Sequence, residues 1–366
     1  MNLNILSIII TLLIFSLLVV VHEWGHFIVA RRNGILVEEF AVGMGPLIYG
    51  KTKGDTLYSI RLFPLGGYCK MLGETGEEES SDERSFTSKT VIQRIAVCLA
   101  GVIMNFILAV LLATISAGFT GFNTPLIVDV PEGYPAYEAG LQAGDKILKV
   151  DNQNIYTYEY LAYFQSINGG KTVEIKYQRD GKNYNTTLTP VLDTDQNGFS
   201  SYKYGVKMGG RTGLFEDARE GIEKAGILET FSVGFYRAGF YIKIVIDSLK
   251  EMLSFNVKLE ELAGPIGIGQ VVNNSIEQSA EYGIRNTVFM LMDLATLLSA
   301  NLAVLNLLPI PALDGGRILF LIIEGIRKKP MDPDKEGFVH LIGFAIVIIL
   351  AILVAYNDIV RLVSGS

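Results

Sequence analysis

The sequence contains few of the residues from which disulfide-rich and nucleic-acid-binding proteins are built. Its 366 residues include two cysteines, three histidines and one tryptophan. Cys69 and Cys98 lie in or next to apolar segments without CxxC spacing, so neither a disulfide framework nor a thiolate metal site is expected. Acidic residues outnumber basic ones, 38 to 31. This excess argues against a nucleic-acid-binding surface.

Charge itself is scarce over long stretches. Hydrophobic residues make up 49% of the chain, charged residues only 19%, and the mean hydropathy is +0.35. A helix needs about 20 apolar residues to cross the hydrocarbon core of a bilayer. Four segments meet this requirement: Leu3–Ala30, Val91–Phe119, Ile284–Leu308 and Phe338–Tyr356. The sequence therefore predicts a protein that crosses a membrane four times.

Two further apolar features need separate interpretations. The first segment has no preceding Lys or Arg and no A-x-A cleavage pattern, so we interpret it as a retained transmembrane helix and not as a signal peptide. The segment Phe231–Leu253 is apolar at helical spacing but carries several charged side chains. This pattern is typical of an amphipathic helix on the membrane surface.

Basic residues predict the orientation. Arg31 and Arg32 follow the first span, and Arg327–Lys329 precede the last. Short loops rich in Lys and Arg lie on the cytoplasmic side. With four spans both basic segments are cytoplasmic, whereas a fifth span at Phe231–Leu253 would separate them. We therefore expect a multi-pass membrane protein, with the region between the second and third spans outside the cell.

The polar region between the first two spans has short β-like segments. They are Val37–Val42, Leu57–Phe63 and Tyr68–Leu72, and they are separated by Gly43–Pro46 and Pro64–Gly67. Glycine and proline at such points are typical of turns between strands. Sheet backbone at membrane depth is tolerated only where protein or a wet cavity shelters it. We expect a small membrane-associated sheet close to the first helix.

The region between the second and third spans has the composition of a soluble domain. The segment Tyr134–Ile147 resembles the signature of PDZ domains, which bind extended peptides at a sheet edge. Asp180-Gly181 predicts a hairpin turn, and Thr157–Ile167 a helix. The predicted strands are Leu126–Val130, Lys146–Val150, Thr172–Arg179, Tyr184–Thr189 and Tyr204–Lys207.

Two of the three histidines lie four residues apart at the inner end of the first span. The sequence His22-Glu23-Trp24-Gly25-His26 places both imidazoles on one helical face, where they can share a metal ion. Glu23 is adjacent to the first ligand and can act as the general base toward a water molecule on the metal. Ionisable residues within a membrane are costly and usually functional. The pattern therefore predicts a metalloprotease site.

A catalytic zinc ion needs three protein ligands and one open position. We expect His340, at the start of the last span, to lie at the membrane interface, so the third ligand is sought among carboxylates near inner helix ends. Asp314 meets this condition, in the segment Asn306–Gly316 after the third span. The first and third spans run in the same direction and would bring His22, His26 and Asp314 to a similar depth.

These motifs together resemble the site-2 protease family of intramembrane zinc metalloproteases, in its bacterial branch that cleaves anti-sigma factors and signal-peptide remnants. The resemblance covers nearly the whole chain and includes Gly264–Gly267. It implies one Zn²⁺ per chain, held by His22, His26 and Asp314, with Glu23 as the base. It also implies that Asn306 orients the substrate or polarises its carbonyl. The turn glycines, which are Gly43, Gly45, Gly66 and Gly67, would belong to the sheet that holds the substrate as a strand.

The expected fold class is a polytopic α-helical membrane protein with four transmembrane helices, a membrane-associated β-sheet and one inserted α+β PDZ domain. Four domains are expected. Residues 1–121 form the first half of the protease core and residues 122–210 the PDZ domain. Residues 211–282 form amphipathic surface helices, and residues 283–366 form the second half of the core. By the resemblance, the partners are transmembrane proteins already cut outside the membrane, and the PDZ domain, which binds a peptide or a substrate tail, filters them.

Two other functions compete with proteolysis. A non-catalytic membrane scaffold could use the PDZ domain to hold partners, but it would have no need of Glu23. A metal transporter usually places its ligands near the bilayer midplane on broken or repeated helices. The sequence shows neither a repeat nor a second metal cluster, so it favours the protease.

Overall fold

A computed structural model describes residues 4–74, 82–194, 200–217, 222–254, 264–329 and 333–364. Within these ranges the chain forms nine helices and ten strands. The helices are α1 (Ile5–Arg32), α2 (Val91–Thr120), α3 (Pro135–Glu138), α4 (Tyr158–Ile167), α5 (Ile227–Leu253), α6 (Pro265–Ala280), α7 (Ile284–Leu307), α8 (Asp314–Arg327) and α9 (Pro333–Ser364). The strands are β1 (Val37–Lys53), β2 (Thr56–Met71), β3 (Phe122–Asp129), β4 (Lys146–Val150), β5 (Gln153–Asn154), β6 (Val173–Arg179), β7 (Lys182–Leu188), β8 (Val191–Thr194), β9 (Ser200–Lys203) and β10 (Lys207–Arg211).

Four helices of the described chain are long and apolar enough to cross a membrane. They are α1, α2, α7 and the part of α9 from Gly337 to Arg361. The four predicted spans are therefore confirmed to within a few residues at each end. Helix α5 is not among them, because its charged residues recur along its length, as the sequence predicted. Tertiary contacts divide the chain into two compact units, Met1–Ala109 with Tyr241–Ser366, and Val110–Phe240.

The sheet in the first unit differs from the three short strands expected. Two long strands, β1 and β2, run through the segments predicted to be turns. The chain bends at Gly43, Gly45 and Gly66, all of which have positive φ. Glycine adopts such angles without the steric cost that a Cβ imposes. As a result two segments of β2 flank the same part of β1, and Phe40 pairs with both Tyr58 and Cys69.

A half-buried carboxylate joins these bent segments. Glu39 accepts hydrogen bonds from Ser59 Oγ at 2.5 Å, from Arg61 Nη2 at 2.7 Å and from Tyr68 Oη at 2.7 Å. Arg61 also donates to the main-chain oxygen of Gly45 at 2.7 Å. Burial and the bond to Glu39 raise the pKa of Tyr68 to about 12. The network fixes the register of the sheet.

The second unit contains the predicted soluble domain. Its main sheet has the order β10-β3-β4-β6-β7, with β5 paired to β4. The predicted strand at Lys146–Val150 and the predicted helix, observed as α4, are confirmed. Asp180 and Gly181 have positive φ and join β6 to β7 in a hairpin, as predicted. The core contains Ile127, Ile147 and Leu161, all at most 2% exposed.

Two expectations about this region and its C-terminal neighbour were wrong. The last strand is Lys207–Arg211 and not Tyr204–Lys207, because Gly205, with a φ of +81°, ends the preceding extended segment. Surface helices were expected from residue 211 onward, whereas α5 begins only at Ile227; residues 218–221 lie outside the described chain. The hairpin of β8 and β9 is an additional element that was not predicted.

Two helices follow the soluble domain. The first half of α5 packs on α4 and on the residues just before it. The rings of Tyr156 and Tyr236 stack 4.3 Å apart, and Arg237 pairs with Glu159 at 2.8 Å. Helix α6 belongs to the first unit. Asp358 of α9 accepts bonds from the N–H groups of Gly264 at 3.1 Å and Gly267 at 2.9 Å, which satisfies the N-terminus of α6.

The segment that leads to Asp314 is not the end of the third span. Helix α7 ends at Leu307, and Leu308 has extended backbone, as expected for a residue before proline. A separate amphipathic helix, α8, begins at Asp314. A Cβ atom on Gly315 would lie 2.2 Å from the main-chain oxygen of Leu308. Glycine is therefore needed for the tight turn from α7 into α8.

Candidate metal centre

Helix α1 places both of its histidines in the interior. His22 and His26 are 6% and 7% exposed, and their Nε2 atoms are 3.1 Å apart. The two rings meet edge to face, with centroids 4.7 Å apart. One helical turn separates the residues, so the predicted shared face exists. Two imidazole nitrogens at this separation can bind one ion.

The turn between α7 and α8 brings the carboxylate to the same point. Asp314 Oδ2 lies 3.0 Å from Nε2 of His22 and 3.4 Å from Nε2 of His26. The preceding loop includes Ala312 with a φ of +85°, a conformation unusual for alanine. His340 supports this loop, because its Nδ1 accepts a hydrogen bond from the N–H of Ala312 at 2.9 Å. A strained loop, which His340 stabilises through this hydrogen bond, thus positions Asp314 beside the histidines.

Glu23 lies beside the histidines and is held by the sheet. Its carboxylate, His22 and His26 form a group whose ligand atoms all lie within 4.8 Å of one another. Oε2 of Glu23 accepts a hydrogen bond from the main-chain N–H of Cys69 at 3.1 Å. The carboxylate is therefore oriented by the β2 backbone near the histidines.

Asn306 reaches the same place from the last turn of α7. Its Nδ2 lies 3.3 Å from Nε2 of His22. The structure thus brings together five of the residues that the sequence singled out, which are His22, Glu23, His26, Asn306 and Asp314. They line one cavity of about 680 Å³, together with Glu74, Arg317 and His340.

The four turn glycines have a different position. None of them lines the described cavity. Gly66 and Gly67 pack against the preceding turn of α1, where their Cβ atoms would lie 3.2 Å from Val19 and 3.5 Å from Val20. Gly43 and Gly45 face Phe63 within the sheet. These glycines therefore shape the sheet and its approach to α1, and they do not themselves reach the metal centre.

One face of α2 forms the wall behind the histidines, and the sequence analysis did not single it out. Val97, Gly101 and Asn105 recur at intervals of four residues. The Val97 oxygen lies 2.8 Å from His26 Nδ1, and Asn105 Nδ2 lies 3.1 Å from His22 Nδ1. A Cβ on Gly101 would lie 2.5 Å from Nε2 of His26. A polar asparagine four residues after a glycine in a transmembrane segment was the available signal.

A second feature missed from the sequence is an ion pair beside the cavity. Arg317, one turn after Asp314 on α8, pairs with Glu74, and Oε2 of Glu74 also accepts from the N–H of Met71 at 3.3 Å. Burial would lower the pKa of the Arg317 guanidinium, but the Glu74 carboxylate raises it. The pair joins the start of α8 to the end of β2.

The donor set fits zinc. Two imidazoles and one carboxylate are ligands that catalytic zinc sites use, with a fourth position left for water. Tetrahedral ligand atoms at about 2.0–2.1 Å from zinc lie roughly 3.3 Å apart, which is close to the 3.0, 3.1 and 3.4 Å observed. Oδ2 of Asp314 is a buried oxygen without a hydrogen-bond donor. An ion between the three atoms would satisfy it.

The fold and this site define a zinc metalloprotease embedded in a membrane. The chain belongs to peptidase family M50, which it matches over residues 10–350. A putative zinc metalloprotease of Clostridium acetobutylicum is 35% identical, over 97% of each chain. The regulator of sigma-W protease RasP of Bacillus subtilis is 31% identical, over 96% of this chain and 97% of its own.

Among solved structures, the PDZ domain of the SdrC-like protein of Listeria monocytogenes is 25% identical, covers 24% of this chain and 86% of its own, and has a TM-score of 0.19. The family match confirms the resemblance to site-2 proteases and zinc as the metal. The predicted polytopic helical fold with a β-sheet region is confirmed as well, and the PDZ assignment of the α+β domain stays a prediction. The protein is an intramembrane zinc protease that acts on membrane proteins.

Proposed function

We propose that this chain hydrolyses a peptide bond in or close to a substrate's transmembrane helix, with His22, His26 and Asp314 holding zinc and Glu23 moving the protons. The observation that carries the proposal is the convergence of α1, β2 and α8 on one point. Two imidazoles, one carboxylate and a second, separately held carboxylate meet there. The first three form a ligand set, and the fourth is left for proton transfer.

Zinc in such a site polarises the scissile carbonyl and lowers the pKa of water toward neutrality. Glu23 accepts a proton from the attacking water as the new carbon–oxygen bond forms. It then gives that proton to the departing amide nitrogen as the carbon–nitrogen bond breaks. Before substrate binds, the N–H of Cys69 orients this carboxylate toward the histidines, because it donates to Oε2.

Asn306 is assigned to the oxygen of the scissile carbonyl. Its Nδ2 lies beside the proposed ligands, 3.3 Å from His22 Nε2. A side-chain amide in this position can donate to an oxygen on which negative charge develops. Removing one such donor from other hydrolases costs about 10²–10³ in kcat. We expect Asn306→Ala to lower kcat more than it raises KM.

The sheet would hold the substrate as an extended strand. A helix shields its peptide bonds by internal hydrogen bonding, so the segment to be cut has to unwind first. The end of β2, from Gly67 to Met71, passes the cavity and contains Cys69, which contacts Glu23. Gly43, Gly45 and Gly66 produce the bends that bring this strand there, and Gly67 lets it pass close to α1. Strand addition at a sheet edge supplies main-chain hydrogen bonds with little sequence preference.

The PDZ domain would act as a filter. Strand β10 is at the edge of its main sheet, where a peptide or substrate tail can add a strand. We propose that the domain lies outside the cytoplasm and admits proteins that another protease has already trimmed. Residues 211–282 would lie on the membrane surface, and His22, His26 and Asp314 would lie toward the cytoplasm. Protein and lipid are the proposed partners, and nucleic acid is not.

The test uses cells that make the wild-type chain or Glu23→Gln with a tagged single-span membrane protein already trimmed outside the membrane. Glu38→Gln is the matched control, because this glutamate pairs with Lys70 at the surface. We expect product in the wild type and in Glu38→Gln, none in Glu23→Gln, and equal zinc in all three purified proteins. Equal product in Glu23→Gln would show that Glu23 is not the base.

The proposed orientation has its own test. Single cysteines introduced at Asp180, in the β6–β7 hairpin, and at Lys329, after α8, are labelled with a membrane-impermeant maleimide in intact and in broken cells. We expect the first to react in intact cells and the second only after breakage. The reverse pattern would place the PDZ domain in the cytoplasm and overturn the filter.

A further inference from the structure

The wall that α2 presents to the histidines contacts them at two atoms that bind no metal in the proposed site. Val97 and Asn105 lie at the two Nδ1 atoms, while Gly101 between them leaves room for the rings. Histidine that binds a metal through Nε2 must carry its hydrogen on Nδ1. The group that accepts this hydrogen fixes the tautomer and the ring orientation. The groups of α2 that accept these two hydrogens therefore decide the tautomers, provided that both histidines are ligands as proposed above.

For His26 the tautomer follows from the chemistry of the group beside Nδ1. The main-chain oxygen of Val97 only accepts hydrogen bonds, and it lies 2.8 Å from Nδ1. Nδ1 of His26 therefore carries the hydrogen. Its Nε2 is left with a lone pair directed at the point that Asp314 also faces. The tautomer of His26 is thus fixed by the backbone of α2 alone.

His22 likewise needs an acceptor for the hydrogen on its Nδ1, and Asn105 is the residue beside that atom. This side chain is fully buried, and its Nδ2, a donor, faces Nδ1 of His22 at 3.1 Å. Two donors would then face each other in the tautomer that binds metal through Nε2. The other amide atom, Oδ1, is buried without a hydrogen-bond donor. The oxygen and nitrogen of a side-chain amide exchange places by a half-turn, and that rotation directs Oδ1 at the imidazole.

We propose that Asn105 is a positioning residue for the zinc site, and that its Oδ1 accepts the hydrogen of His22 Nδ1 when the metal is bound. Its backbone is held independently, because Ser299 Oγ of α7 donates to the main-chain oxygen of Asn105 at 2.8 Å. Helix α7 thereby fixes the height of the side chain on α2. Both ligand histidines then take their tautomers from α2, one from main chain and one from a side chain.

Two variants of nearly equal size separate an acceptor from a donor. Asn105→Asp keeps an oxygen at the imidazole but removes the N–H₂ group, and Asn105→Leu removes both. Each purified protein is titrated with zinc against a chromogenic chelator, and the absorption spectrum of its cobalt form is recorded. Neither readout depends on turnover. Zinc-free samples are compared by thermal unfolding to measure effects on the fold alone.

We expect Asn105→Asp to bind zinc within a few-fold of the wild type and to keep the cobalt spectrum. Asn105→Leu should bind about 10- to 100-fold more weakly, which is the usual effect of losing a partner of a ligand histidine. Unchanged zinc affinity in Asn105→Leu would overturn the proposal. If Asn105→Leu does not fold, Asn105→Asp decides alone, and weak binding there would mean that Asn105 acts as a donor.

His22→Ala distinguishes the failure of this inference from failure of the ligand assignment. Wild-type zinc affinity in His22→Ala would show that His22 is not a ligand. Loss of zinc in His22→Ala with full affinity in Asn105→Leu would leave the ligand set intact and remove only the role of Asn105. Loss in both, with retention in Asn105→Asp, is the result that the proposal requires.

Discussion

Gly101 leaves space that His26 occupies. A Cβ atom built on Gly101 would lie 2.5 Å from Nε2 of His26 and 2.7 Å from Nε2 of His22. These distances are shorter than any non-bonded contact of a methyl group. The backbone of α2 can therefore approach the two imidazole nitrogens only because this position has no side chain.

We expect Gly101→Ala to lower zinc affinity about 10- to 100-fold, the scale seen when the surroundings of a ligand are altered. The measurement is zinc titration of the purified protein against a chelator. Gly325→Ala on α8 is the control, since its Cβ would lie an ordinary 3.5 Å from Val91. Equal affinity in both alanine variants would mean that the rings have more room than the structure shows.

The ion pair of Glu74 and Arg317 should stabilise the position of Asp314. Removing one partner leaves the other charge partly buried, with side chains 19% and 32% exposed. We expect Arg317→Gln to destabilise the protein by about 1–3 kcal/mol, between the effects of exposed and fully buried pairs. Zinc content should fall as well, because Asp314 is one turn away.

The control for this prediction is Arg84→Gln, which breaks an exposed pair with Asp82. Thermal unfolding in detergent and metal analysis of the same samples give both readouts. Zinc content in Arg317→Gln equal to that in Arg84→Gln would separate the ion pair from the metal site.

The predicted PDZ domain depends on one fully buried carboxylate. Asp145 is 0% exposed and pairs with Arg179 at 2.6 Å, and it also accepts from the N–H of Gln142 at 2.8 Å. We expect Asp145→Ala to destabilise the domain by about 2–4 kcal/mol, since it strands the charge of Arg179. Limited proteolysis of the whole chain should show faster cutting between β3 and β10.

Lys207→Gln is the matched variant, because it breaks a pair with Asp129 that lies on the surface of the same domain. Its digestion rate should equal that of the wild type. If both variants were digested alike, the buried pair would contribute no more than an exposed one.

Cys69 should be inert to alkylation at neutral pH. Burial raises the pKa of its thiol well above the usual range, and the charges of Glu23 and Glu74 raise the pKa further. The reactive species is the thiolate, so the native protein should incorporate no label at Cys69 at pH 7.5. Mass spectrometry after iodoacetamide treatment provides the measurement, with unfolded protein as the reference. Rapid native labelling at this residue would contradict the burial.

Most of the membrane architecture follows from patterns that act locally. Span positions depend on apolar length, and the pairing of His22 with His26 depends on helical spacing alone. Asp314 was also identified from the sequence, because chain direction brought it to the right depth. The local structure around it was missed, since α8 is too charged to register as a span and too short to stand out.

What the sequence could not give were contacts between elements distant in the chain. The N–H of Cys69 reaches Glu23 only because β2 bends at Gly66. Glycine and proline mark bends within a strand and turns between strands alike, so the sequence did not distinguish the two. Likewise, Gly101 and Asn105 look like ordinary helix-packing residues until α2 is placed against α1. Such roles depend on which face of a helix meets its neighbour, and an apolar helix without a polar face does not reveal this.

The edge of β2 near the cavity is closed by the enzyme's own side chains. The N–H groups of Cys69 and Met71 donate to the carboxylates of Glu23 and Glu74. An exposed strand edge is a template for pairing with any extended chain, and here two carboxylates occupy it. A substrate strand that joins this edge displaces both of them, and displacing the first releases the proposed base from its backbone contact. Latency would then be intrinsic to the resting enzyme: a folded helix passing through the bilayer leaves it idle, and only a chain that has already unravelled brings it into action.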